Sequence, residues 1–265
     1  MNILDTIIER KKEEVADAKR KISISQLRDM PLFNETGLSL YSFLTNAEKT
    51  GIIAEFKRRS PSKGLINGTA TVQEVVNAYS INGASAISVL TDTDFFGGSL
   101  SDLSAAVATA SVPVLRKEFI IDEYQIAEAK AYGASVILLI AACLSKQQVA
   151  DYAGTAKELG LEVLLEIHDE NELAHVCNTI NCVGVNNRNL KTFTVDIQTS
   201  LNLVDAIVAE KKLAIAESGI HSVETIVTLR NAGFSGFLIG ENFMKETNPA
   251  VAFAQFVNKL KALHT

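Results

Sequence analysis

Eight short apolar runs punctuate the chain, at residues 51–56, 86–90, 113–115, 135–140, 161–166, 182–186, 213–217 and 236–239. Their starts lie 21 to 35 residues apart. Each is apolar on consecutive positions, the pattern of parallel strands covered on both faces. Between them, amphipathic stretches at 72–82, 123–132, 146–159, 170–178 and 223–232 predict helices. Asp122, Ser145 and Ser222 stand at cap positions before three of these. Several stretches hand over to the next run through a glycine, as at Asn82-Gly83 and Ala232-Gly233. Glycine accepts the left-handed backbone that commonly ends a helix.

Strand then helix, repeated eight times over about 250 residues, is the rhythm of an α/β fold, the (β/α)8 TIM barrel. A doubly wound open sheet is the alternative. It usually has fewer strands and a glycine-rich first turn, and no G-x-G-x-x-G follows the first run. The chain therefore reads as a single barrel domain over residues 1–265, with residues 1–48 as an N-terminal helical extension packed on it. In that extension Ile3/Leu4, Ile7/Ile8 and Lys11 recur at helical spacing and predict a helix over 2–19. Shorter segments follow at 24–30 and 40–46. The extension fits either a plug under the barrel or a lid near its mouth.

Composition narrows the class. The chain has 265 residues, 47% hydrophobic, with mean hydropathy +0.16, enough for a sizeable core. A net charge of -6 argues against nucleic-acid binding, and no apolar run approaches a membrane span. The N-terminus is charged and amphipathic, unlike a signal peptide. Cys143, Cys177 and Cys182 lack metal-ligand spacing and read as reduced core residues of a cytoplasmic protein. His168, His175, His221 and His264 form no cluster; His168 alone falls near a strand end, and this scatter calls for no catalytic role.

Chemistry concentrates where the runs end. The first continues as Ile53-Ala-Glu55-Phe-Lys57-Arg-Arg-Ser60-Pro-Ser-Lys-Gly64. Residues i and i+2 of a strand share a face, so Glu55 and Lys57 should project together, followed by a basic loop suited to an anion. Active sites of such barrels lie at the C-terminal strand ends. There the sequence also puts Thr91, Asp92, Lys117, Glu166, Asn186, Arg188, Glu217, Ser218 and Gly240. So many charged groups on one rim need a charged ligand or mutual pairing. The turns Ser218-Gly219 and Gly240-Glu241 follow the seventh and eighth runs, where many barrels bind phosphate through backbone N–H groups. Pro61, Phe95, Phe96, Phe119 and Leu138 would line an aromatic slot.

Taken together, these segments resemble the indole-3-glycerol-phosphate synthases of tryptophan biosynthesis. The likeness also covers Ile3-Leu-Asp-Thr-Ile-Ile-Glu-Arg-Lys-Lys, Leu115-Arg-Lys-Glu-Phe-Ile-Ile-Asp122, Leu164-Leu-Glu-Ile-His-Asp-Glu170 and Val183-Gly-Val-Asn-Asn-Arg-Asn-Leu190. The resemblance implies closure of the indole ring of 1-(2-carboxyphenylamino)-1-deoxyribulose 5-phosphate with loss of carbon dioxide and water. It implies no metal and no organic cofactor. By resemblance Lys117 is the proton donor, assisted by Lys57. Glu55 and Glu166 are acid–base candidates, Asn186 holds Glu166 and Lys57, and Arg188, Glu217 and Ser218 orient substrate. Lys57, Ser60, Gly219, Gly240 and the Glu241 backbone would hold the phosphate, and Pro61, Phe96, Phe119 and Leu138 the anthranilate ring. Many relatives carry Ser at the position of Glu241, which puts a side-chain contact there in doubt. The implied partner is a small-molecule anthranilate-derived sugar phosphate, with no nucleic acid and no membrane. Monomer and non-covalent association with other tryptophan-pathway enzymes both remain open. A sister isomerase acting on an anthranilate sugar phosphate would use a Cys–Asp pair, and no cysteine follows the first run. A non-catalytic phosphate-binding barrel would not need Lys57, Lys117, Glu166 and Asn186 together.

Overall fold

Alternation along each strand divides the protein into two cores. In the computed structural model, which describes residues 3–190 and 192–263, Ile52, Ala54 and Phe56 face outward into a layer shared with the helices. Ile53 faces inward with Ala86, Leu115, Val136, Leu164, Cys182 and Ile215. Among the described residues, eight parallel strands close this inner layer into a barrel. They are β1 (Ile52–Phe56), β2 (Ala86–Leu90), β3 (Val114–Lys117), β4 (Val136–Ile140), β5 (Glu162–Ile167), β6 (Cys182–Asn186), β7 (Leu213–Glu217) and β8 (Phe234–Ile239). Neighbours pair in sequence order, and β8 returns to β1 through Ile52↔Phe237 and Ala54↔Ile239. The fold is a (β/α)8 TIM barrel.

The helices are α1 (Ile3–Lys21), α2 (Ile24–Arg28), α3 (Leu40–Thr45), α4 (Val72–Ile81), α5 (Leu100–Thr109), α6 (Glu123–Ala131) and α7 (Lys146–Glu158). They continue with α8 (Gln198–Ala209), α9 (Val223–Ala232), α10 (Glu241–Met244) and α11 (Pro249–Ala262). Asp122, Ser145 and Ser222 do cap α6, α7 and α9 through side-chain oxygens. Gly233 ends α9 at φ 116°, a conformation closed to most side chains.

Two expectations are corrected and two features are added. The stretch 170–178 is a 3-10 turn, Glu170–His175, because Asp169 accepts from both the Asn171 and Glu172 N–H groups and winds it tightly. The loop after β1 carries a small hairpin, Arg59–Ser60 against Gly64–Leu65. Helices α5 and α8 are not among those named from the sequence, although each turns an apolar face to the barrel, through Leu103 and Ala106 or through Leu203, Val204 and Ile207. Of the cysteines, only Cys182 is fully buried; Cys143 and Cys177 are half-buried at the core's edge. The first position of the predicted 2–19 helix, and His264, lie outside the described residues.

The extension serves both ends of the barrel. Leu40 and Leu44 of α3 join the inner layer at its lower end, beside Ile53 and Val136. Helix α1 lies at the other end. Its Lys11, 3% exposed, sends Nζ to Asp92 at 2.8 Å and Glu118 at 3.0 Å, at the ends of β2 and β3. Those carboxylates fix the loops that follow: Asp92 Oδ1 accepts from the Phe95 and Phe96 N–H groups, and Glu118 Oε1 from that of Phe119. Among the described residues, no helix is long and apolar enough to cross a membrane.

Candidate active site

Climbing the inner face of each strand, apolar side chains give way to ionic ones. Ile53 is followed by Glu55 and Lys57, Leu115 by Lys117, Leu164 by Glu166, and Ile215 by Glu217. The period of two makes these substitutions converge on one axis. They surround a cavity of about 160 Å³ at the C-terminal mouth.

Lys117 occupies its centre. Its Nζ donates to Glu166 Oε2 at 2.7 Å and to Glu217 Oε2 at 3.1 Å. Burial favours the neutral amine, but Glu166, Glu217 and Glu55 together outweigh it and hold Lys117 protonated well above the ordinary lysine range. For Glu166, burial pushes the pKa up, yet Lys117 and His168 prevail and the carboxyl stays ionised well below its usual range. Glu217 balances the other way. Burial raises it to about 7 despite Lys117, and its Oε1 is buried without a hydrogen-bond partner among the described residues. Its room comes from Gly184, where an added Cβ would stand 2.1 Å from Glu217 Oε1.

A second pair faces the first. Lys57 Nζ donates to Glu55 Oε1 at 2.7 Å, and Ser88 Oγ approaches Glu55 Oε2 at 3.4 Å. Asn186 Nδ2 donates to Glu166 Oε1 at 3.0 Å, while its Oδ1 accepts from the Ser218 hydroxyl at 2.9 Å and from the Arg188 N–H at 3.0 Å. One amide thereby joins β5, β6 and the turn after β7. Ser218 itself holds φ 67°, a left-handed backbone in which a serine is uncommon.

Apolar walls complete the cavity: Pro61, Phe96, Phe119 and Leu138 line it, as their sequence positions suggest, whereas Phe95, expected beside them, does not. The Phe96 and Phe119 rings sit 5.9 Å apart. Ile3, Leu4 and Ile7 of α1 line it too, with Leu190 and Phe193 of the loop after β6. Sequence reasoning missed these. The helical spacing of Ile3, Leu4 and Ile7 marked an apolar face but not the surface that it covers.

The loop and turn residues divide. Ser60, Arg188 and Glu241 line the cavity; Gly219 and Gly240 stand behind it. A Cβ on Gly240 would meet Glu55 Oε1 at 2.6 Å, so this glycine makes room for a carboxylate of β1. Gly219, at φ 76°, would press a Cβ to 2.6 Å from Val195. Arg58 is not offered to an anion: both its terminal nitrogens bind Asp102 of α5, at 2.5 and 2.9 Å. The Glu241 side chain does not turn away. It faces Lys63 at 3.5 Å and Arg188 at 3.7 Å, whose charges draw it over the mouth. Among the described residues, no three His, Cys, Asp or Glu side chains group so as to hold a metal ion.

The fold has distant parallels: the tryptophan synthase alpha-subunit of Pyrococcus furiosus superposes on 81% of this chain and 99% of its own, with TM-score 0.61 at 15% identity. Sequence likeness is far closer elsewhere. The indole-3-glycerol phosphate synthase of Bacteroides thetaiotaomicron is 46% identical over 98% of this chain and 99% of its own length. That of Laribacter hongkongensis is 42% identical over 96% and 98%. The family profile described as indole-3-glycerol phosphate synthase spans residues 4–256, and so takes in both the mouth helix and the ionic ring. With the family profile reaching from α1 into α11 and a relative 46% identical over 98% of this chain, the chain belongs to the indole-3-glycerol phosphate synthase family.

Proposed function

We propose that this protein converts 1-(2-carboxyphenylamino)-1-deoxyribulose 5-phosphate into indole-3-glycerol phosphate, carbon dioxide and water. The observation that carries the reading is the pairing of two lysine–carboxylate units across an aromatic-walled cavity, Lys117 with Glu166 and Glu217, Lys57 with Glu55.

The ring stacks among Phe96, Phe119, Pro61 and Leu138, and Lys57 meets its carboxylate. The aromatic carbon bearing that carboxylate attacks the ketone carbon, and Lys117 delivers a proton to the ketone oxygen. A group must be charged to do so, and the three carboxylates around Lys117 keep it charged. The C–CO2 bond then breaks, and its electron pair restores the aromatic ring. The new hydroxyl leaves as water on receiving a second proton, while a carboxylate removes a proton to form the pyrrole double bond. Glu55 with Lys57, and Glu166, serve these proton transfers. Glu217 orients substrate and, with a pKa near neutrality, buffers the proton on Lys117. Asn186 and Ser218 hold Glu166 in register. The phosphate binds at Lys57, Ser60, Gly219, Gly240 and the Glu241 backbone, with Arg188 beside it. For that, the phosphate must displace the Glu241 carboxylate from Lys63 and Arg188.

We also take residues 1–265 as one domain with 1–48 as its extension, acting in the cytoplasm, with or without non-covalent association with other enzymes of tryptophan synthesis. The test is indole fluorescence from purified protein and the carboxyphenylamino-deoxyribulose phosphate, with EDTA present. Rising fluorescence supports both the reaction and its independence of metal. No signal, with substrate still raising the melting temperature, points to a binding role.

A further inference from the structure

The strand that carries Glu166 is followed at once by His168, a residue without apparent work. Its ring is 13% exposed and does not line the cavity. Both ring nitrogens nonetheless face carboxylates. Nε2 lies 3.3 Å from Glu166 Oε1, an ion-pair contact off the N–H direction, and Nδ1 lies 3.3 Å from Glu172 Oε2. Glu172 is itself fixed, because the same oxygen accepts the His168 backbone N–H at 2.7 Å and Asp169 caps the turn that carries it. Burial would discharge the ring, but the two carboxylates prevail and raise it to about 10. The result is a row of alternating charge, Glu172, His168, Glu166, Lys117, running from the edge of the barrel to the reacting centre.

The other groups around this row do not duplicate the ring. Asn186, from β6, is neutral and meets the same Glu166 oxygen. Cys143, from the 141–143 turn, has its thiol pushed up to about 12 by burial and nearby carboxylates, so it stays uncharged. Glu217, from β7, adds negative charge. His175 turns away to the Leu144 and Glu172 carbonyls. Lys117 is the other cation, and in the proposed reaction it gives its proton away. At that moment Glu166 would be a buried carboxylate with an amide alone for support, and would take the proton itself.

We propose that His168, held by Glu172, is a positioning residue for the ring closure: its ring, set between the two carboxylates, backs Glu166 Oε1 and keeps Glu166 an anion while Lys117 is discharged. Oε2 thus stays aimed at Lys117 throughout the cycle. The inference rests on the catalytic assignment of Glu166.

Two measurements test it. In the wild-type protein, the His168 ring nitrogens, assigned by their loss in His168→Gln, should report imidazolium at pH 8. An ordinary histidine is neutral there. In His168→Gln the acid limb of kcat should move to higher pH by about one unit, because Glu166 loses a neighbouring cation; in Glu172→Gln the ring itself should lose its charge at lower pH than in wild type, because His168 loses a neighbouring anion. At neutral pH, kcat of His168→Gln should fall about tenfold or more, with KM within about threefold. A neutral ring at pH 8, or an acid limb of His168→Gln coinciding with wild type, overturns the proposal. If His168→Gln does not fold, Glu172→Gln assigns the ring by the shift it causes, and a ring titration unmoved in that variant overturns the proposal. Full turnover in Glu166→Gln would instead refute the assignment beneath it. An inactive Glu166→Gln with an unmoved limb in His168→Gln refutes the role of His168 alone.

Discussion

Lys11→Met asks whether the mouth helix is fastened by charge. Methionine keeps most of the buried volume, so the change removes the ammonium and little packing. It takes the ammonium from Glu14 and from two buried carboxylates, Asp92 fully buried and Glu118 4% exposed, of which Glu118 keeps the Thr91 hydroxyl at 2.7 Å and Arg116 at 3.9 Å. Removing one partner of a buried ion pair costs about 3–5 kcal/mol. Against this stands what keeps α1 in place: its other buried side chains are Ile7 and Val15, together worth roughly 3–6 kcal/mol. The two figures are comparable, so the cheaper response is for α1 to lift and hydrate the carboxylates, with the barrel intact. The expected signature is therefore local. Trypsin should cut within α1, at Arg10, Lys12 or Lys19, at protein concentrations where the wild type resists. The main melting transition should move much less than the roughly 6–20 °C that a global loss of 3–5 kcal/mol would produce. Losing the apolar contact of Ile7 from the cavity, about 1.5 kcal/mol, should raise KM about tenfold. A variant whose α1 resists trypsin like wild type, with KM unchanged, would refute the reasoning.

Three further outcomes follow from the ionic ring. Lys117→Ala should lower kcat by about 10²–10⁴-fold, and Glu166→Gln should act similarly with KM nearly intact; steady-state kinetics would expose a pure KM effect as a binding role. Gly240→Ala, whose methyl would stand 2.6 Å from Glu55 Oε1, should push Glu55 off Lys57 and cut kcat; a crystal structure with the pair still at 2.7 Å and normal turnover would contradict it. Glu217 carries a raised pKa, about 7 against an ordinary 4.5, so the folded protein holds a proton that the unfolded chain has released between those values. That contribution is full below pH 4.5 and is lost as pH rises through 7, on the order of a few kcal/mol. Melting temperatures from pH 5 to 8 should thus fall less steeply in Glu217→Gln, and parallel slopes would rule the effect out.

The barrel was legible because its strands are buried on both faces, which makes consecutive apolar runs unavoidable. The ring at the mouth was legible for a related reason: a charge ending such a run, as Lys117 or Glu166 does, must meet a partner or a ligand, although Asp92 and Glu118 end runs in the same way and serve to hold Lys11. Helices α5 and α8 were not among the stretches named from the sequence, although each buries an apolar face, Leu103 and Ala106 in one and Leu203, Val204 and Ile207 in the other. Position along a strand also says little about partners far away. Nothing near Lys11 announces Asp92 and Glu118, and nothing near Arg58 announces Asp102. Gly240 has a second use that the sequence does not announce: what would collide with its Cβ is Glu55 from the strand next door. His168 read as unremarkable because its meaning depends on Glu172 turning back toward it, a consequence of the Asp169 cap.

The extension has a bearing on how the chain matures during synthesis. Its first turns leave the ribosome before any of their docking sites exist. Lys11 must await Asp92 and Glu118, and Ser39, whose hydroxyl binds Glu162, must await the fifth strand. The first barrel strand waits longest, since its edge partner is Phe237–Ile239. Pairings so distant in sequence are slow to form, and until the last strand arrives two strand edges stay open to other chains. The plug and the mouth helix, though first made, can be completed only on a scaffold built after them. Slowing translation should therefore do little for the yield of this protein, whereas a chaperone that shelters the almost complete chain should help it.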